Sequence, residues 1–227
     1  MSIKVTWLGH AALALDVNGT HVVVDPFLTG NPAAKADPNT LGADYILVSH
    51  GHGDHVGDTA AIAKRTGATI IANNEIAVWF GNQGLKSHGQ HIGGGFHYPF
   101  GYVKLTQALH GSALPDGSNG GNPAGFLITA DGKKLYLACD TGLFGDMSLI
   151  GDEGLDLALI PIGDNYTMGP DDALRAAKLL RAKNIIPIHY NTWDLIKQDA
   201  HAWAKRVEAE TSSKVHVLEP GQSFELK

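Results

Sequence analysis

The sequence predicts an α+β protein built as two packed β-sheets covered by helices. Three observations lead there. The first third consists of short β-compatible runs; strands then alternate with helices; and the same succession recurs over the second half. A length of 227 residues suits one large domain, 1–227, with a sizeable core.

In order, Ile3 to Leu8, Ala12 to Val17 and His21 to Val24 are strand-like, with Asn18-Gly19 as the hairpin turn because both residues tolerate positive φ. Met1 and Ser2 lead straight into the first run, with no basic and apolar leader ahead of it. Asp25-Pro26 ends the third run, and Tyr45 to Val48 forms a buried strand ending at Ser49. Asp58 is placed to cap a helix to about Thr66, stopped by Gly67. Thr69 to Ala72 is a strand and Glu75 to Phe80 a helix. Gly84 to Gly95 has no period, so Ser87 to His97 is expected to be a mobile surface loop near the site rather than a second metal site. Tyr102 to Leu109 alternates, and Gly125 to Ala138 is a hairpin around Asp131-Gly132. Leu155 to Ile162 is a continuous apolar strand. After Pro170-Asp171, Ala173, Ala176, Ala177 and Leu180 keep the spacing of one buried helical face. Ile185 to Ile188 is a strand, Ala200 to Ala209 a helix, and Val215 to Val217 the closing strand.

Composition narrows the function. The net charge of −6 argues against a broad nucleic-acid surface. A single cysteine, Cys139, fits a reducing compartment, and no apolar run approaches the ~20 residues of a membrane span. A cytoplasmic protein acting on a small molecule, with neither membrane nor nucleic-acid partner, is the expectation. Twelve histidines stand out, and their placement carries the chemistry.

Ser49-His50-Gly51-His52-Gly53-Asp54-His55 follows a buried strand and precedes a helix. Four potential ligands within six residues are hard to explain as packing, because buried imidazoles and carboxylates need partners. The intervening glycines let the backbone curl around an ion. Imidazole with carboxylate suits zinc, and also iron or manganese.

His-x-His-x-Asp-His after a strand resembles the metallo-β-lactamase superfamily, whose fold is a four-layer αββα sandwich with a metal site at one edge of its paired sheets. The likeness spans essentially the whole chain. Asp25 in Val24-Asp25-Pro26 matches the acidic position that supports the metal loop. His110 in Leu109-His110-Gly111, Asp140 in Cys139-Asp140-Thr141 and His189 in Ile188-His189-Tyr190 match the remaining ligands. The resemblance implies that His50, His52 and His110 hold one divalent ion, that Asp54, His55 and His189 hold another, and that Asp140 bridges them. Zinc comes first among the candidate metals, ahead of Mn2+ and Fe2+. A hydroxide shared by the ions would attack a carbonyl carbon or phosphorus, with Asp54 binding metal and orienting the nucleophile or relaying a proton.

Exported lactamases typically carry Cys at the position of Asp140 and no His at position 55, and the interval from Asp140 to His189 is too short for an inserted nucleic-acid-processing domain. Flavodiiron oxygen reductases have Glu where His52 stands. Thr6-Trp7-Leu8-Gly9-His10-Ala11 together with Asp164-Asn165-Tyr166-Thr167-Met168-Gly169-Pro170 resembles the uncharacterised metal-dependent hydrolases related to L-ascorbate-6-phosphate lactonase. His10 is either a contact to substrate or ligands, or a core histidine. Asn165, in the second segment, belongs either to a pocket wall or to a plain connection, and Trp193 lines either the pocket or the core. Cys139 is read as core, since strand neighbours point to opposite faces. The leading expectation is hydrolysis of a small ester, lactone or phosphoester. The alternatives are a mononuclear iron enzyme oxidising persulfides and a metal-binding protein with marginal catalysis. Relatives of this kind are often homo-oligomers.

Overall fold

The computed structural model describes residues 3–226. The strands are β1 (Ile3–Gly9), β2 (Ala12–Val17), β3 (Thr20–Val24), β4 (Tyr45–Leu47), β5 (Thr69–Asn73), β6 (Ser87–Gln90), β7 (Gly95–Tyr98), β8 (Gly101–Gln107), β9 (Ala124–Ala130), β10 (Lys133–Leu137), β11 (Leu157–Pro161), β12 (Asn184–Ile188), β13 (Lys214–Val215) and β14 (Ser223–Leu226). Helices are α1 (Gly53–Val56), α2 (Thr59–Thr66), α3 (Asn74–Gly81), α4 (Met147–Gly151), α5 (Pro170–Leu180) and α6 (Ala200–Glu210). Two seven-stranded mixed sheets result, ordered β14-β1-β2-β3-β4-β5-β6 and β13-β12-β11-β10-β9-β8-β7.

Alternation along the strands assigns each face. Val22, Val24, Leu47 and Ile71 join Phe126, Leu135 and Leu137 in the core that links the two sheets. Their neighbours Val23, Ile46, Ile70 and Ala72 pack instead with Ile62 of α2 and with Ile76 and Phe80 of α3. Ala173, Ala176, Ala177 and Leu180 of α5 are fully buried, and Trp203 and Val207 of α6 join them in the larger cluster. Helix, sheet, sheet, helix is the resulting stack, as the pattern predicts. Among the described residues, no helix is long and apolar enough to cross a membrane.

Several local expectations are corrected. Ser87–His97 is not a loop: it supplies β6 and β7, the edge strands where the chain passes from the first sheet to the second. Both edges leave residues 91–97 exposed, so no hydrophobic alternation marks them. Asp58 stands at the N-cap of α2 but makes no capping bond; its carboxylate accepts from Leu28 N, Thr29 N and Thr29 Oγ1 at 2.9, 2.8 and 2.6 Å. The final strand is β14, antiparallel to β1 with Ile3 opposite Leu226, while the run at Val215 contributes only the two-residue β13. The short α1 and α4 are too brief for a sequence period to reveal.

Candidate metal centre

Strand direction gathers the site. β3 and β4 are parallel, and β1 is parallel to β3 because β2 runs antiparallel to both. In the second sheet β8 and β10 are each antiparallel to β9, and β10, β11 and β12 are parallel. The C-terminal ends of β1, β3, β4, β8, β10 and β12 therefore fall at corresponding sheet edges, followed by His10, Asp25, the His50–His55 segment, His110, Asp140 and His189.

The backbone bends sharply there. His10, Asp25, Cys139 and His189 all have positive φ, between 43° and 57°. Such values are uncommon outside glycine, and each costs on the order of 1–2 kcal/mol. Their concentration at one edge marks a functional site. Cys139 is buried in the core as expected, although it lies beyond β10 and its left-handed turn swings Asp140 toward the histidines. Gly51 is crowded for a different reason: a Cβ there would stand 3.0 Å from the Ala113 backbone, which would have to give by a few tenths of an ångström.

Hydrogen bonds to fixed partners set the imidazole tautomers. Asp25 accepts from Ser49 N at 2.8 Å, Ser49 Oγ at 2.6 Å and His55 Nδ1 at 2.9 Å. Because the Ser49 hydroxyl donates to Asp25, His50 Nδ1 at 2.9 Å is left to donate to Ser49 Oγ. In its neutral form each ring then presents an unprotonated Nε2 to the interior, the form a metal requires.

Those lone pairs converge. His50, His52 and His110 offer nitrogens all within 4.8 Å of one another, and so do His10, Asp54, His55 and His189 with one ligand atom each. Asp140 Oδ2 lies 3.6 Å from His110 Nε2, 3.3 Å from His55 Nε2 and 3.0 Å from His189 Nε2, touching both groups. Yet His55 Nε2, both ring nitrogens of His189 and Asp140 Oδ1 are buried without a hydrogen-bond partner among the described residues. Buried polar atoms without partners are costly. Close approach without hydrogen-bond geometry is what a shared cation would explain, so this donor set fits a metal.

Electrostatics agree for His50 and Asp140, while at His55 they favour a protonated ring whose Nε2 proton a bound cation would replace. Burial pushes the pKa of His50 well below the ordinary value. Burial alone would raise Asp140, but His189 and His55 beside it hold its carboxyl well below the usual range. Burial likewise opposes the charge on His55, and the carboxylates of Asp140 and Asp25 override it, pushing its pKa up.

Of the residues with open roles, His10 belongs to the site. It is fully buried, with Nδ1 2.8 Å from Thr192 Oγ1 and Nε2 3.2 Å from Asp54 Oδ2. Its carbonyl accepts from Trp7 Nε1 and from the backbone of His189, tying β1 to β12. Trp193 lines the cavity over the histidines, as does Tyr166. Asn165 does not; it is exposed on a left-handed turn, and its neighbour Tyr166 takes the place expected of it. His88, His91 and His97 join none of the clusters of potential ligands among the described residues.

The chain matches the beta-lactamase superfamily domain over residues 20–190. It is 52% identical to the UPF0173 metal-dependent hydrolase of Pelotomaculum thermopropionicum, across 99% of this chain and 100% of that protein. The chain belongs to this family of metal-dependent hydrolases. The corresponding protein of Heliobacterium modesticaldum is 50% identical, across 99% of this chain and 98% of its own length. Among solved structures, Igni18, a metallo hydrolase from the archaeon Ignicoccus hospitalis, superposes with a TM-score of 0.92 at 36% identity, covering 100% of this chain and 99% of that one.

Proposed function

We propose that this hydrolase cleaves a small ester, lactone or phosphoester with two divalent cations, zinc foremost. His50, His52 and His110 would hold one cation and Asp54, His55 and His189 the other, with the Asp140 carboxylate available to both. The observation that carries this reading is the position of Asp140 Oδ2, within 3.6 Å of histidines from both clusters.

When bound, such ions would lower the pKa of water at the site toward roughly 7 and stabilise negative charge developing on the attacked group. The chain's own residues do the rest. Burial would raise the pKa of Asp54, but the bond from His10 and the nearness of His55 bring it below the usual range, so Asp54 is ionised. A carboxylate only accepts, so His10 donates through Nε2 and its Nδ1 accepts from Thr192. Held in this way, Asp54 orients the attacking water and takes its proton. The hydroxyl adds to the carbonyl carbon or phosphorus, the bond to the leaving oxygen breaks, and that oxygen leaves with the proton.

Metal content measured by plasma mass spectrometry on untagged protein tests this first. Two equivalents of zinc or manganese per chain, with turnover of an ester, lactone or phosphoester, is the expected result. About one equivalent of iron with no hydrolysis would overturn it.

A further inference from the structure

The cavity over the histidines, about 410 Å³, adjoins a second of about 470 Å³ across His110. Ile92, Leu109 and Pro123 line the second cavity, and its polar side chains besides His110, those of Gln107 and Asn122, are uncharged. Neither cavity has a Lys or Arg in its wall. Lys197 lines a third cavity, which shares Trp193 with the first, and Asp194 lines it too.

Eight large apolar side chains are exposed among the described residues, and four of them, Ile92, Leu109, Tyr166 and Trp193, border these two cavities. Scattered exposed apolar residues are ordinary; half of them gathered around one cluster of buried His and Asp form a recognition surface. A phosphomonoester would bring two negative charges to a site that offers them the proposed cations but no Lys or Arg for the phosphoryl oxygens left over, which would then face Asp54 and Asp140. An uncharged ester meets no such penalty, and its hydrocarbon part gains from covering Leu109 and Ile92.

We propose that the substrate is an uncharged carboxylic ester or lactone whose apolar arm lies across Leu109 and Ile92 while its carbonyl rests over the His and Asp cluster. The proposal rests on the metal-centre reading for the carbonyl's place and on the second cavity for the arm. In hydrolysis, water adds across the acyl C–O bond: its oxygen joins the carbonyl carbon, and its hydrogen leaves with the alcohol oxygen.

Calorimetric titration of the metal-loaded protein with acetohydroxamate and octanohydroxamate tests it without requiring turnover. Each buried methylene multiplies affinity by about fourfold, so with part of the arm covered octanohydroxamate binds at least roughly tenfold more tightly. In Ile92→Ser/Leu109→Ser the ratio falls toward unity while metal content is unchanged. Equal affinities in the wild type, or an undiminished ratio in the double variant, overturn the apolar arm alone. Tighter binding of octylphosphonate than of octanohydroxamate overturns the uncharged class. A protein that holds no metal and binds neither hydroxamate overturns the metal-centre reading and this proposal with it.

Discussion

Asp25 touches no substrate cavity, yet it accepts three hydrogen bonds from Ser49 and His55 and so orients the His55 ring directly and the His50 ring through Ser49. Asp25→Ala should weaken metal binding roughly 10–100-fold, as loss of partners behind a ligand does elsewhere; competition with a chromogenic chelator measures it. His10→Ala should cost a similar factor, partly restored in His10→Gln, which can still donate to Asp54. Asp140→Ala and His55→Ala should lose a metal and most activity while circular dichroism stays native; full activity in either variant would sink the ligand assignment. The candidate ligands were legible because they follow strands in a dense or ordered pattern. His10 was not decidable from sequence, since its partners Asp54 and Thr192 stand 44 and 182 positions away. Tyr166 was missed because two successive left-handed residues, Asp164 and Asn165, decide which side chain of that turn faces inward.

At the scale of elements, Asp156 secures three strands of the second sheet. Its carboxylate accepts from Lys134 N at 2.9 Å, within β10, and from Lys183 Nζ at 2.8 Å, just ahead of β12, while its own residue leads into β11. Burial would raise its pKa, but these donors bring it down. A depressed folded-state pKa contributes stability that is present above the unfolded value of about 3.9 and lost as pH falls through the folded one. Asp156→Asn should therefore lose less melting temperature than the wild type between about pH 5 and pH 3, as followed by scanning calorimetry. Gly163 packs so closely against β12 that a Cβ would lie 2.2 Å from His189 O. Gly163→Ala should cost about 1–3 kcal/mol in urea unfolding and loosen metal binding through His189. Strands with two apolar faces or a clear hairpin turn were legible; β6, β7 and β14 were not, because edge strands with exposed residues carry little pattern.

For the whole molecule, the αββα stack followed from the order of strand and helix patterns, since helices can cover only the outer faces of packed sheets. Removing metal with a chelator should lower the melting temperature. At a free metal concentration of about 100 Kd, binding adds about 2.7 kcal/mol, and for a chain of this size each kcal/mol moves the midpoint by about 2–4 °C. A fall of roughly 5–10 °C is expected, reversed on adding zinc. An unchanged midpoint would argue against metal in the folded protein.

The passage from one sheet to the other at β6 and β7 has a consequence for that experiment. Each proposed cation takes ligands from the edges of both sheets: His50 and His52 with His110, and Asp54 and His55 with His189. A bound ion is then a cross-link between residues distant in sequence, the second closing a loop of more than half the chain. Cross-links over long loops remove the most entropy from the unfolded ensemble. Loss of metal should accordingly be felt along the whole seam between the sheets, as faster amide exchange in β4 and β12 together, rather than as the loosening of one surface turn.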